Sequence, residues 1–170
     1  ISVNILMINF VLQKFKKMKR ILIYSLLFVF HLGFSQEVPK VLKTKFSKEA
    51  LAQKVQDENG KETSIKDILQ KHKGKVVVLD FWAGWYRDCL KAFPKAKELE
   101  AQNPKIDFVF LSLERSKEGF DKSLERFEMK DKENYWFSSG WKNDFNNYID
   151  LNWIPRYIVV NQKSGIAKYY

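Results

Sequence analysis

A single cysteine, Cys89, closes the aromatic-rich segment Trp85-Tyr86-Arg87-Asp88-Cys89, and one carboxylate, Asp80, interrupts the apolar run just before it. With no second cysteine in the chain, an internal disulfide is impossible, and so is any cycle between a dithiol and an intramolecular disulfide. A lone thiol can still form a mixed disulfide with a small thiol or a partner cysteine, but nothing within the chain would then resolve it. Two readings of Cys89 stay open: a small apolar group packed beneath its segment, and a monothiol nucleophile whose exposure and thiolate fraction set its rate. Asp80 has two readings as well. A carboxylate inside a strand is costly without partners, which marks it for proton chemistry, or else it satisfies polar groups nearby. Neither histidine suggests a metal centre: His31 falls in an apolar stretch and His72 in a Lys-rich turn, with no His, Cys or acid cluster at ligand spacing. No cofactor is expected.

The pattern around these residues predicts the elements that position them. Residues 36–47 read as an extended segment leading to a hairpin turned at Asn59-Gly60. Ser64 is a candidate N-cap for a short helix through Ile65, Ile68 and Leu69 that ends near Gly74. Lys75–Trp82 is rich in Val and largely apolar, the signature of a central strand covered on both faces. Helical spacing over 87–102 aligns Leu90, Phe93 and Leu99, with Pro94 expected to kink the helix. A second buried strand is predicted over Ile106–Leu113, then amphipathic helices over Ser116–Met129 and Trp141–Ile149. A final hairpin joins Arg156–Asn161 to Ile166–Tyr170. Strands alternating with helices in this order predict an α/β fold with helices on both faces of the sheet.

The formal charge of +10 is concentrated at one end. Residues 1–35 carry Lys14, Lys16, Lys17, Lys19 and Arg20 and no acid, leaving a net +5 on residues 36–170. There the signs are interleaved, as in Lys117-Glu-Gly-Phe-Asp-Lys122, which is a solvated helix face and not a phosphate track, so nucleic acid is not an expected partner. Met18-Lys19-Arg20 opens a basic region, Ile21–Phe34 follows as an apolar run, and Gly33 and Ser35 supply the small residues that a signal peptidase reads. This predicts a secretory signal peptide starting at Met18, with residues 1–17 upstream of it, a domain over 36–170, and a periplasmic or other extracytoplasmic location. The run is short of the roughly twenty residues needed to span a bilayer, so membrane attachment is expected only through an uncleaved signal segment, if at all.

Val76-Val-Val-Leu-Asp-Phe-Trp-Ala-Gly-Trp-Tyr-Arg-Asp-Cys89 resembles the active-site strand and loop of thioredoxin-family proteins, where the segment ends Trp-Cys-x-x-Cys. The resemblance spans residues 46–170 and is closest to the exported TlpA and ResA group. Besides Asp80-Phe81-Trp82-Ala83 and the Trp85–Cys89 loop, it rests on Pro94 five residues past Cys89 and on Ile154-Pro155 before the last hairpin. It implies a thioredoxin-like fold with a central mixed sheet and one further helix after that hairpin, beyond Tyr170. Trp85 matches the motif Trp, Tyr86 replaces the attacking cysteine and Cys89 retains the second. Asp80 matches the buried acid that assists the second cysteine, and Arg87 and Asp88 take the place of the common Gly-Pro pair.

In the same resemblance Pro155 matches the cis-proline that faces the loop, and the backbone of Ile154 matches the edge that pairs with an extended substrate peptide. Trp82, Trp85, Tyr86 and Trp153 would then line an apolar surface suited to a polypeptide, or pack against the sheet. The implied class is thiol-disulfide oxidoreductase with protein thiol or disulfide partners. Its turnover is impaired, because a phenol with a pKa near 10 cannot form a disulfide. A monothiol enzyme acting through Cys89 and a non-catalytic peptide-binding module are the alternatives. A peroxiredoxin is excluded, since Ala83–Cys89 lacks the Pro and Thr of the Pro-x-x-x-Thr-x-x-Cys pattern.

Overall fold

The Val-rich run around Asp80 forms a strand, β3 (Val76–Trp82), buried along almost its whole length. In the computed structural model, which describes residues 43–170, β3 pairs in parallel with β4 (Ile106–Ser112) and antiparallel with β6 (Arg156–Val160). β-branched side chains favour such a pleated, doubly covered position. Outward from β4 lie β5 (Asn134–Trp136), β1 (Lys54–Gln56) and β2 (Glu62–Ser64), and outward from β6 lies β7 (Ile166–Tyr169), giving a seven-stranded mixed sheet ordered β2-β1-β5-β4-β3-β6-β7. Gly60, with φ at +79°, turns the β1–β2 hairpin where the Asn-Gly pair predicts it. β5 has no counterpart in the sequence pattern; its three residues carry too little periodicity to stand out. The expected leader over residues 1–35 and the start of the extended segment at 36 lie outside the described residues.

Five helices are described: α1 (Lys48–Ala52), α2 (Ile65–Lys71), α3 (Arg87–Gln102), α4 (Lys117–Arg126) and α5 (Asp144–Tyr148). Ser47, Ser64, Ser116 and Asn143 cap α1, α2, α4 and α5 by accepting a backbone N–H from the first turn, satisfying one of the donors every helix start leaves free. Asn143 also explains why α5 begins later than the predicted Trp141. The short α1, directly after the extended segment, is absent from the sequence prediction.

Successive side chains of a strand point to opposite faces, and β3 shows what each face meets. Phe81 stacks on Phe145 of α5 at 6.1 Å, whereas Trp82 meets Phe93 of α3 edge-on at 5.4 Å. Phe93 in turn packs on Phe127, just past α4, at 5.2 Å. Helices α3 and α4 therefore share the Trp82 face and α5 covers the Phe81 face. By the same alternation Asp80 points to the face of α3. One packing prediction fails: Leu99 is 49% exposed, and Cys89 is the only fully buried residue of α3. Burial along α3 is deepest in its first turns: Cys89 is buried, Leu90 and Phe93 are half-buried, and Leu99 is exposed.

His72 does more than its Lys-rich turn suggests. It is buried at the end of α2, with Nδ1 2.6 Å from Asp107 Oδ2 on β4. Its Nε2 lies 3.1 Å from Glu133 Oε2, off the hydrogen-bond direction, so that contact is electrostatic. Lys75 donates to Asp107, and Lys71 and the Tyr135 hydroxyl donate to Glu133. Burial alone would raise both carboxyls, but these donors outweigh it and hold Asp107 and Glu133 below the usual carboxylate range. Depressed folded-state values stabilise the fold above the unfolded carboxylate range and lose that contribution as pH falls through it. Replacing His72→Ala is expected to cost about 2 kcal/mol in urea denaturation at pH 7, the usual loss for a charge-assisted bond to a half-buried group. The deficit should shrink as the carboxylates protonate below about pH 4.

Candidate active site

At the C-terminal end of β3 the chain leaves the sheet through Ala83 and Gly84 and re-enters regular structure at α3, with Tyr86 as the N-cap residue. A buried acid fixes this exit. Glu114, just past β4, accepts the Gly84 N–H at 2.7 Å and the Ser123 hydroxyl at 2.8 Å on the same Oε1. Gly84 is required here because a Cβ would stand 2.3 Å from Ser123 Oγ and 2.8 Å from a Phe127 ring carbon. Beyond the clamp, Trp85 turns outward and is 43% exposed, with the Arg115 guanidinium 4.7 Å above its ring. The half-buried Tyr86 ring meets Trp85 edge-on at 5.7 Å. Tyr86 makes no side-chain cap bond, so the N-cap position, where helix amides favour a negative charge, carries a phenol that does not use them.

Cys89 sits in the first turn of α3 and is 1% exposed. Burial pushes its thiol up to about 12; a backbone hydrogen bond with Ala83 pulls the other way, and the charges of Asp80 and Asp88 add to the rise. Asp80 is 2% exposed on the same side of the sheet, its Oδ1 has no partner among the described residues, and burial raises its carboxyl to about 8. Directly across the β3–β6 ladder from Asp80 stands Tyr157, whose phenol is held above its ordinary range by burial and by the charges of Asp80 and Cys89. Asp80 and Cys89 are thus shielded from water with the half-buried Tyr157 beside them, and each of the three is driven toward its neutral form.

The other flank of the loop is formed by the start of β6. Arg156 pairs with Phe81, so Pro155 comes level with Trp82 at the mouth of the loop. The Ile154–Pro155 peptide bond is cis, the Ile154 side chain is buried and Pro155 is half-buried. Arg156 is fully buried, bonds Asn152 Oδ1 at 2.9 Å and lies 4.4 Å from the Trp153 ring, holding the segment from beneath. Among the described residues, no group of three or more His, Cys, Asp or Glu is placed to hold a metal ion, and no helix is long and apolar enough to cross a membrane.

A family model described as thioredoxin-like matches residues 74–166, more than half of the chain. The chain belongs to the thioredoxin-like family. Solved structures agree on the fold of this thioredoxin-like chain. A candidate thiol-disulfide oxidoreductase of Bacteroides vulgatus is 26% identical, with a TM-score of 0.55 over 72% of this chain and 78% of that one. A thiol-disulfide oxidoreductase of Bacteroides fragilis is 17% identical, with a TM-score of 0.61 over 72% of this chain and 89% of the other. A secreted disulfide oxidoreductase of Mycobacterium tuberculosis is 17% identical, with a TM-score of 0.57 over 73% and 86%. The comparison with curated proteins returns no match.

Of the residues singled out in the sequence, Asp80, Trp85, Tyr86, Cys89, Ile154 and Pro155 all gather at this end of the thioredoxin-like domain. Trp82 does not join them at the surface: it is fully buried, because it belongs to the strand and faces α3. Glu114, Tyr157 and Arg156 were not anticipated. Glu114 and Tyr157 reach the site through strand register, which the sequence does not display. Arg156 carried a signal, a charged residue inside an apolar strand next to Ile-Pro.

Asp80 generates a pH signature. Unfolded, its carboxyl loses its proton near the model-peptide value of 3.8; folded, it keeps the proton up to about 8. Between those limits the unfolded state binds fewer protons, so stability falls as pH rises, by up to about 1.4 kcal/mol per pH unit from this group. Asp80→Asn removes the slope, and the variant is expected to gain on the wild type steadily between pH 4.5 and 7.5 in chemical denaturation. A constant difference across that range would mean that Asp80 is already ionised in the folded protein.

Proposed function

We propose that this is an exported thioredoxin-like protein related to thiol-disulfide oxidoreductases, in which dithiol turnover is lost and binding of a polypeptide partner is retained. The observation that carries the proposal is the pairing of Tyr86 at the start of α3 with a buried Cys89 one turn further on. Disulfide exchange needs a thiolate at an accessible position, and the thiolate fraction falls as the pKa rises. The accessible position holds a phenol, and the thiol is shielded and pushed up to about 12. These two facts also weigh against a monothiol enzyme acting through Cys89, which would need exposure and a lowered pKa.

The partner edge in this reading is Trp85 with Ile154 and Pro155, and its partners are an extended peptide or a protein thiol or disulfide. Export rests on the signal peptide read at Met18–Ser35, with residues 36–170 as the mature domain in the periplasm or another extracytoplasmic space. The fold shared with a secreted mycobacterial protein is in keeping with it.

The test compares wild type, Tyr86→Cys and Cys89→Ser in disulfide reduction driven by a dithiol reductant. Tyr86→Cys restores a thiol at the helix N-terminus and is expected to exceed wild type by at least about a hundredfold, with Cys89→Ser indistinguishable from wild type. Wild-type activity that Cys89→Ser abolishes would replace this proposal with a monothiol mechanism.

A further inference from the structure

An open groove of about 470 Å³ lies on the side of the loop away from Pro155, over the C-terminal ends of β4 and β5. In open α/β sheets this is the end at which ligands are received. Its walls are Trp85, Glu114 with Arg115, and the segment from Trp136 to Trp141. We propose that this groove receives an extended, acidic segment of a partner polypeptide, seating an aromatic or large aliphatic side chain against the tryptophans and pairing an adjacent carboxylate with Arg115. The proposal rests on the partner-binding reading above and names the chemistry of the partner.

The polar groups of the groove decide what it can recognise. Trp136 Nε1 donates to the Glu114 carbonyl at 2.8 Å, and Trp141 Nε1 donates to the Leu151 carbonyl at 3.1 Å. With those donors satisfied, two of the indoles offer carbon surface and no free N–H. Glu114 is buried, with Oε1 bound to the Gly84 N–H and the Ser123 hydroxyl. The exposed Ser138 hydroxyl also lines the groove, and the groove's cation is Arg115, which is exposed, stacked on Trp85, and makes no ion pair among the described residues. A stacked guanidinium keeps its N–H edges available, and that planar fork matches a carboxylate.

Tryptophan and arginine together are also the side chains that dominate binding energy at protein interfaces. A glycan would require several polar groups aimed at its hydroxyls, and a nucleic acid would require a row of cations for its phosphates. Among the described residues the groove supplies one unpaired cation, Arg115, and one hydroxyl, Ser138, on an aromatic floor. Because the indoles and the Glu114 clamp are held in place before any partner arrives, little ordering is left for binding to impose.

The experiment uses the whole chain labelled with ¹⁵N and follows the indole N–H signals. The probes are two cysteine-free peptides, acetyl-Gly-Phe-Glu-Phe-Glu-Gly-amide and the same peptide with Lys in place of Glu. The acidic peptide is expected to shift the indoles of Trp85, Trp136 and Trp141 in a saturable way, with the lysine peptide at least about tenfold weaker. Arg115→Glu, a surface change that leaves the fold intact, should reverse the preference. Equal response to both peptides, no response at millimolar peptide, or shifts confined to Trp153 would overturn the proposal. Since neither peptide contains a cysteine, the groove can fail while the Tyr86→Cys comparison stands, and the reverse.

Discussion

Exclusion of water from the space between β3 and α3 is the constraint on which the rest of this site depends. A carboxylate and a thiol side by side in contact with solvent would titrate independently and near their ordinary values. Behind the Trp85–Tyr86 loop, Asp80 is raised to about 8 and Cys89 to about 12, with burial the first cause in both cases. The charged form of either group would raise the other further, since like charges in a poorly solvated space repel strongly. At neutral pH both groups are therefore mainly neutral, and Cys89 is held as the thiol, which withholds the thiolate that a nucleophile requires. Tyr157 enlarges the neutral cluster without supplying a cation that could break it.

The loop in front of this space has two flanks with different characters. Toward β6 it meets the cis Ile154–Pro155 segment, held from below by the buried Arg156 against Trp153. Toward β4 and β5 it is fastened by the Glu114 carboxylate at Gly84 and opens onto the tryptophan-lined groove. Both flanks are built from preorganised parts, none of which depends on a thiol at position 86. A surface of that kind can hold a polypeptide without transferring electrons to it.

Much of this arrangement was legible in the sequence, and the parts that were not share a physical reason. The Val-rich run predicts β3, Ser64 predicts the start of α2, and Asn59-Gly60 predicts its turn, because each depends on local propensity or periodicity. The loop residues and Ile154-Pro155 could be placed by resemblance to a known motif. What the sequence could not display is register. Tyr157 faces Asp80, Glu114 reaches Gly84, and His72 finds Asp107 and Glu133 only once the strands are aligned. Trp82 and Trp85 look alike in the sequence and part in the structure, because one lies in a strand covered by α3 and the other beyond it. Leu99 misled for a related reason: helical spacing says which residues share a face, but not how far along its length that face stays covered.

The pH dependence of Cys89 alkylation by iodoacetamide in the folded wild-type chain tests the central claim most directly, with the urea-unfolded chain as reference. Burial behind the loop predicts folded-state alkylation at least about a hundredfold slower than the unfolded reference, with no inflection in rate below about pH 10. Rapid alkylation of the folded protein with an inflection at or below pH 8.5 would show an accessible, ionisable thiol and contradict the account.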